Sequence, residues 1–421
     1  MAYQERLYDN LIGTILRELP ALALEGAKAV GKTSTANRFA KSMLALDDDA
    51  TVELLQNGPA VLKNMTRPVC LDEWQRLPKT WDYVRRIVDD DYSAGQFLLT
   101  GSAAPVRFAL HSGAGRISSL RMRPLSLQER RLDQPILSLN DALTGKLDGL
   151  EGQTRVGLGD YLQEIGQSGF PAIRMLSGRN ARVQLRSYVD YVINKEFPEQ
   201  GQMVRKPQTL RNWMKAYAAA TASTASYQTI LKAATPGEQT PAKTTAMAYR
   251  DVLDSLWLID RVEAWLPTVN PFTRLAKAPK HYLADPALAA VLLGVNIDDL
   301  LTGVSVPVLG PQHGAIAGRL FEALVALSLQ TYALVNEAEL GHFRSVKGDH
   351  EIDFILERNY HLCAIEVKMA DSVGDDDCKH LLWLQRKLDG YEIFPIVVYA
   401  GRFAYRRKDG VFVVPAVLLG A

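Results

Sequence analysis

The sequence predicts an α/β protein of several domains, beginning with a parallel sheet covered by helices. Three observations carry this. Short apolar runs alternate with helix-compatible stretches between residues 20 and 131, the pattern of repeated strand–helix units. A glycine-framed turn at 26–33 joins the first run to the first helix. A second set of apolar strand candidates follows a long apolar helix after residue 315. At 421 residues the chain is too long for one core, and two to four domains of about 100–200 residues are expected.

In order, the first strands are expected at 21–25, 43–46, 68–71, 96–100 and 117–121. Between them Tyr83, Ile87 and Val88 mark the inward face of an amphipathic helix. Pro124, Pro135 and the glycines from 145 to 159 then break the pattern. The expected boundaries are an N-terminal α/β domain at 1–135, a helical linker or lid at 136–205, a winged-helix-like segment at 206–270 and a C-terminal α/β domain at 271–421. In the lid, residues 181–197 read as a helix with a wide apolar face that includes Val183, Leu185, Tyr188, Val189, Val192 and Ile193. Helices at 210–220, 227–233 and 244–258, followed by a strand from 259, have the layout of a winged helix. The last domain opens with a helix at 318–332 and continues with strands at 350–357, 362–367 and 393–399.

Composition excludes some classes of function. Hydrophobic residues make up 47% and charged residues 23%, as in a globular protein and unlike a disordered or fibrous one. The formal charge of +1 gives no global attraction to nucleic acid or anionic membranes, so any such partner must be met by a local patch. Cys70, Cys363 and Cys378 are odd in number and lack C-x-x-C spacing, which fits a reducing, cytoplasmic setting. Glu5, Arg6, Asp9, Arg17 and Glu18 interrupt any leader-like apolar stretch, and the longest apolar runs are too short to span a bilayer. No membrane partner is expected.

The turn at 26–33 reads Gly26, Ala27, Lys28, Ala29, Val30, Gly31, Lys32, Thr33, which is G-x-x-x-x-G-K-T without a mismatch, and Ser34 follows. The glycines let backbone N–H groups turn toward phosphate oxygens, Lys32 adds a positive charge near the β- and γ-phosphates, and the Thr33 hydroxyl can ligate Mg²⁺. Binding of ATP or GTP with Mg²⁺ follows. Val69, Cys70 and Leu71 lead to the acids Asp72 and Glu73. In that setting Asp72 faces the metal and Glu73 polarises the attacking water. Leu98, Leu99, Thr100, Gly101 and Ser102 end another buried strand, where Ser102 either senses the γ-phosphate or caps the next helix. Arg116, between Gly115 and the fifth strand, is the candidate arginine finger, acting in its own chain or across an oligomer interface. Arg121, Arg123, Arg130 and Arg131 read as solvated strand-edge arginines.

In the last domain, Asp353 precedes Glu366 and Lys368 at a distance that suits two paired strands, and Glu322 lies on the helix before them. This is the arrangement of a restriction-endonuclease-like core. Glu322, Asp353 and Glu366 would ligate one or two Mg²⁺, and Lys368, on the same strand face as Glu366, would orient the nucleophile. Alternating charges are also common on half-exposed strands, and nuclease folds also serve only to bind.

These stretches together resemble a widespread prokaryotic group of AAA-type ATPases with a C-terminal domain of unknown function. The likeness covers the phosphate loop, the 69–78 run, Leu99 to Ser102 and the Arg123-Pro124-Leu125-Ser126 run. It extends through Gly169-Phe170-Pro171, Pro279 to Pro286 and Gly318 to Glu322. The resemblance implies an additional-strand core, with the strand before Ser102 lying between the two nucleotide-binding strands, which favours the sensor role for Ser102. The acids Asp47, Asp48 and Asp49 depart from the family pattern and have no role in it. The reading is an ATP hydrolase linked to a module acting on DNA or RNA. The alternative is a nucleotide-operated scaffold whose C-terminal fold docks a protein partner. A small-molecule kinase is a weaker third, because Asp72 and Glu73 support hydrolysis.

Overall fold

The computed structural model describes residues 3–103, 113–201, 207–234, 243–267, 277–302, 313–345 and 347–421. They form two compact units. The first comprises residues 1–124, 192–205 and 247–258, and the second comprises 125–191, 206–246 and 259–421.

In the first unit helix α1 (Tyr8–Glu18) precedes β1 (Ala21–Glu25), α2 (Lys32–Phe39), β2 (Ser42–Ala45), α3 (Asp49–Asn57), β3 (Val69–Asp72), α4 (Lys79–Asp90), β4 (Phe97–Gly101) and β5 (Ile117–Arg121). The five strands make one parallel sheet in the order β2-β3-β4-β1-β5. β4 thus lies between β1 and β3, as the resemblance implies. Ala21–Leu24, Val69–Leu71 and Phe97–Leu99 are completely buried, the near-continuous apolar runs of strands covered on both faces. Val84, Ile87 and Val88 of α4 pack on one face with Leu55, Leu62, Trp74 and Leu77. In such sheets ligands bind outside the carboxyl ends of the strands, which here means after Glu25, Asp72 and Gly101.

Two expectations gain a physical reason in this unit. Asp48, one of the three acids without a role, caps α3 by accepting from the Thr51 N–H at 3.1 Å and the Thr51 hydroxyl at 2.8 Å, and Asp49 adds negative charge in the first turn. Residues 192–205 belong here through a π-helical turn, Val192–Glu196, that follows the Gly178–Tyr191 helix. In that preceding helix Val183 is 55% exposed, unlike its expected apolar partners. It lies off the stripe set by Ala181, Leu185, Tyr188 and Val189.

The second unit contains β6 (Leu137–Ser138), β7 (Glu151–Gln153), β8 (Glu263–Ala264), β9 (Glu339–Arg344), β10 (Glu351–Arg358), β11 (His361–Lys368), β12 (Glu392–Tyr399), β13 (Phe403–Arg406), β14 (Phe412–Pro415) and β15 (Leu419–Gly420). Eight of them form a mixed sheet in the order β7-β13-β14-β12-β11-β10-β9-β8, and β15 pairs with β6. β10 and β11 are antiparallel, while β11 and β12 are parallel. The helix Asp375–Lys387 makes the crossover between that parallel pair, placing Cys378, Leu381 and Leu384 on Ile352, Ile355, Leu362, Ala364 and Val397. The long helix His313–Val335 buries Leu320, Phe321, Leu324, Val325 and Leu329.

Of the three helices read as a winged helix, Pro207–Ala219 and Tyr227–Ala233 lie in the second unit, whereas most of Lys243–Ser255 groups with the first. The strand expected from 259 is limited to β8, with antiparallel bridges from Ile259 to Leu283 and Val262 to Lys280. The intervening residues 268–276 lie outside the described ones. Among the described residues no helix is long and apolar enough to cross a membrane.

Candidate functional site

β1 delivers the chain to Gly26, whose φ of 151° is open to glycine alone. A Cβ there would stand 2.2 Å from the Met122 carbonyl oxygen. Ala29 and Gly31 also take positive φ, 69° and 101°, and Gly31 begins α2 without a side-chain cap. The free N–H groups and positive dipole end of α2 therefore face the concavity, the physical basis of a phosphate cradle. Lys32 is 5% exposed and folds back on the loop, donating to the Gly26 and Ala27 carbonyls at 2.8 and 3.0 Å. Burial pulls its pKa down to about 8. Arg6 braces the loop from behind by donating to the Val30 carbonyl at 2.9 Å and the Arg123 carbonyl at 2.7 Å. No motif marks Arg6 for that role.

The second strand end meets this loop. Thr33 Oγ1 donates to Asp72 Oδ1 at 2.8 Å, and Thr100 Oγ1 donates to the same oxygen. A hydroxyl and a carboxylate so paired suit Mg²⁺, which prefers oxygen and keeps several of its waters. Glu73 has φ 55° and ψ 43°, a left-handed conformation costing a non-glycine residue of order 1–3 kcal/mol. It is held by the Gln75 amide at 2.5 Å and the Ser102 hydroxyl at 3.1 Å, both donating to Oε2, and its own N–H donates to Thr100 at 3.3 Å. Ser102 and Glu73, expected as sensor and base, are therefore direct partners. Gln75 was not anticipated, although it stands two residues beyond Glu73.

Arg116 is not brought to this loop. β1 and β5 run parallel with Ala21 beside Ile117 and Glu25 beside Arg121, so Arg116 stands at the far end of the sheet, roughly 16 Å of strand length away. Its guanidinium is engaged by Asp89 at 2.7 Å and by the Ala114 carbonyl at 3.2 Å. Arg121, at the loop end of β5, lies over the Trp257 ring at 5.1 Å. Residues 192–205 supply a group the sequence did not signal. Glu196 lies 3.7 Å from Lys28, is largely buried, and burial raises its pKa despite the lysine. Its segment is distant in sequence and carries no local motif.

In the second unit the register that pairs Phe354 with Ile365 sets Asp353 beside Glu366, and Lys368 donates to Glu366 Oε1 at 3.0 Å. Glu322 joins them through a residue the sequence reading did not single out. Lys280, 2% exposed, donates to Asp353 Oδ1 at 2.8 Å and Glu322 Oε1 at 3.1 Å, and lies 3.7 Å from Glu351. Tyr282 donates to Glu322 Oε1 at 2.6 Å, and the Val367 N–H to Asp353 Oδ2 at 2.9 Å. Burial, then the Asp353 charge, raises the pKa of both Glu322 and Glu366. Burial would lower that of Lys280, but its carboxylate partners outweigh it and hold the ammonium above its usual range. The four expected residues Glu322, Asp353, Glu366 and Lys368 thus share one cluster, yet among the described residues no group of three His, Cys, Asp or Glu is placed to hold a metal. An ammonium bridges Glu322 and Asp353 where the expected ligand set would need a divalent cation, so the arrangement does not fit Mg²⁺.

Comparison with known proteins agrees with the loop geometry. Residues 18–130 match the AAA domain family. That match, the cradle and the Thr33–Asp72 pair together support a P-loop nucleotide site of AAA type within residues 18–130. Residues 159–299 and 317–419 match two domains of unknown function, DUF8612 and DUF4143. The chain is 23% identical over 409 residues to the uncharacterized proteins Rv2008c of Mycobacterium tuberculosis and Mb2031c of Mycobacterium bovis, covering 95% of this chain and 81% of each relative. Among solved structures, a Walker-type ATPase of Pyrococcus abyssi aligns with a TM-score of 0.38 at 14% identity, over 69% of this chain and 96% of the other. A chain of the Drosophila ORC bound to DNA aligns with a TM-score of 0.18 at 15% identity, over 71% and 85%. Neither likeness carries detail across to this chain.

Proposed function

We propose that the chain is a Mg²⁺-dependent ATP hydrolase whose nucleotide state governs a C-terminal module that binds nucleic acid without cutting it. The observation that carries the hydrolase reading is the meeting of Thr33, Asp72 and Glu73 at the phosphate loop. Mg²⁺, when bound, supplies neutralising charge to the phosphate tail. Thr33 and Asp72 would hold it, and the loop from Gly26 through Lys28, Ala29 and Val30 to Ser34 would bind the phosphates through its N–H groups. Lys32 would leave the Gly26 and Ala27 carbonyls to meet them. Glu73 would take the proton of the attacking water, its carboxylate aimed by Gln75 and Ser102. An arginine finger role for Arg116 is compatible only with action across an oligomer interface, since its own loop lies at the other end of the sheet.

The Lys280 bridge counts against cleavage in the C-terminal unit, because its ammonium stands between Glu322 and Asp353 where a catalytic metal would need both carboxylates. The deciding experiment measures ATP turnover alone and with single-stranded DNA, duplex DNA and RNA, alongside a cleavage assay with Mg²⁺. Turnover that responds to a nucleic acid, with no cleavage, is expected. Metal-dependent cutting that Asp353→Ala or Lys368→Ala removes would overturn the non-cutting reading. A second reading, a nucleotide-operated scaffold that docks a protein partner, draws on the same lysine and predicts slow turnover indifferent to DNA and RNA.

A further inference from the structure

A cleft of about 270 Å³ opens beside β8 and β9, at the end of the large sheet away from β7. Its described lining includes Lys277, Arg344, Lys347, His342 and Trp265, and no carboxylate. Lys277 and Lys347 make no ion pair among the described residues. Arg344 is half exposed, donates to the Thr224 hydroxyl at 3.1 Å and lies 3.9 Å from Glu351. Two lysines and an arginine, the last shared with Glu351, in a concavity whose described lining holds no carboxylate concentrate positive potential where an anion can enter.

His342 adds a second, independent feature. It is 2% exposed, and its Nε2 lies 3.0 Å from the Ala278 carbonyl, so that nitrogen carries the proton and donates. Nδ1 is then a bare acceptor, buried and without a partner among the described residues. Burial lowers the pKa of the ring to about 4, so the imidazole stays neutral. A buried acceptor left without a donor is destabilising, and a ligand's O–H or N–H would remove that cost. A sulfate ion offers no such donor beside its charge, whereas a nucleotide unit offers one on its sugar or base.

We propose that this cleft binds a phosphate ester with a neighbouring hydrogen-bond donor, the phosphate held by Lys277, Arg344 and Lys347 and a sugar hydroxyl or base N–H given to His342 Nδ1. For a polynucleotide source the inference rests on the nucleic-acid-binding reading above, and for a free nucleotide it does not. The test is fluorescence anisotropy of a short labelled oligoribonucleotide and its deoxy counterpart on the full chain, and calorimetry of AMP on a Lys32→Ala background that silences the first site. The reversed-charge variant Lys277→Glu/Lys347→Glu changes two side chains outside the core. About tenfold weaker oligonucleotide binding and a shallower salt dependence are expected, since two phosphate-facing charges are lost. Binding that the variant leaves unchanged overturns the cleft but not the nucleic-acid reading. AMP binding that the variant weakens, with no oligonucleotide bound, supports the cleft and overturns that reading. No binding of any of the three overturns both.

Discussion

Lys280 and Asp353 form a buried ion pair, Nζ to Oδ1 at 2.8 Å, and Glu322 completes it on the other side. Removing one partner of such a pair leaves the others charged in a poor solvent, at a cost of about 3–5 kcal/mol. Lys280→Met should therefore lower the urea unfolding free energy by about 3 kcal/mol or more. Adding Asp353→Asn should restore part of the loss, because it removes one of the stranded charges. A loss below about 1 kcal/mol would mean that the carboxylates find another counter-charge.

Glu164 offers a pH test in the same unit. It accepts from Arg130 at 3.1 Å and from Arg174 at 2.5 and 3.0 Å, and Arg130 is fully buried. Burial alone would raise its pKa, but the two arginines outweigh that and hold it below the usual range. A depressed carboxylate stabilises the fold fully above its unfolded value, about 4.3, and loses that contribution as pH falls through the folded one. Glu164→Gln should cost about 3 kcal/mol at neutral pH, and the gap to the wild type should close in acid. Asp285, whose pKa burial raises, titrates with the opposite sign in both chains and largely cancels in the difference. A gap constant from neutral pH to pH 3 would refute the assignment.

Glu73→Gln isolates chemistry from binding. The substitution keeps the volume and leaves the cradle and Asp72 intact, so ATP affinity should hold. Losing the base should slow phosphate release by about 10²-fold or more. Unchanged turnover in a stopped assay would take Glu73 out of the mechanism. Lys32→Ala should do the reverse and abolish tight binding measured by calorimetry.

The nucleotide unit was largely legible because its signals are local. The buried strands β1, β3 and β4 announce themselves as apolar runs, and the loop needs glycines at fixed spacing, so Gly26, Gly31, Thr33 and Asp72 could be named from the sequence. What escaped depends on contacts between distant segments. Arg6 reaches Val30, and Glu196 reaches Lys28, through chain returns that no periodicity records. Arg116 shows the converse. Its glycine neighbours suggested close approach to phosphate, but parallel pairing with β1 fixed it at the wrong strand end. In the second unit Asp353, Glu366 and Lys368 followed from strand alternation, while Lys280 enters from a segment with no pattern tying it to β10.

Gly26 supplies the sharpest test of the cradle itself. Its φ of 151° disfavours any side chain, and a Cβ would press within 2.2 Å of the Met122 carbonyl oxygen, a backbone atom that cannot swing aside. Met122 is itself tied back by its N–H to the Glu25 carbonyl at 2.7 Å, so relief must come from the loop. Gly26→Ala should thus open the turn, displace the Lys32 acceptors and weaken ATP binding at least tenfold, with a stability loss of about 1–3 kcal/mol. Gly115→Ala is the matched control. Its φ of 76° is also left-handed, but among the described residues nothing stands within 4 Å of its Cβ, so it should cost about 1 kcal/mol and leave nucleotide affinity unchanged. Equal affinity losses in the two variants, measured side by side by calorimetry, would show that general destabilisation rather than the shape of the loop governs binding.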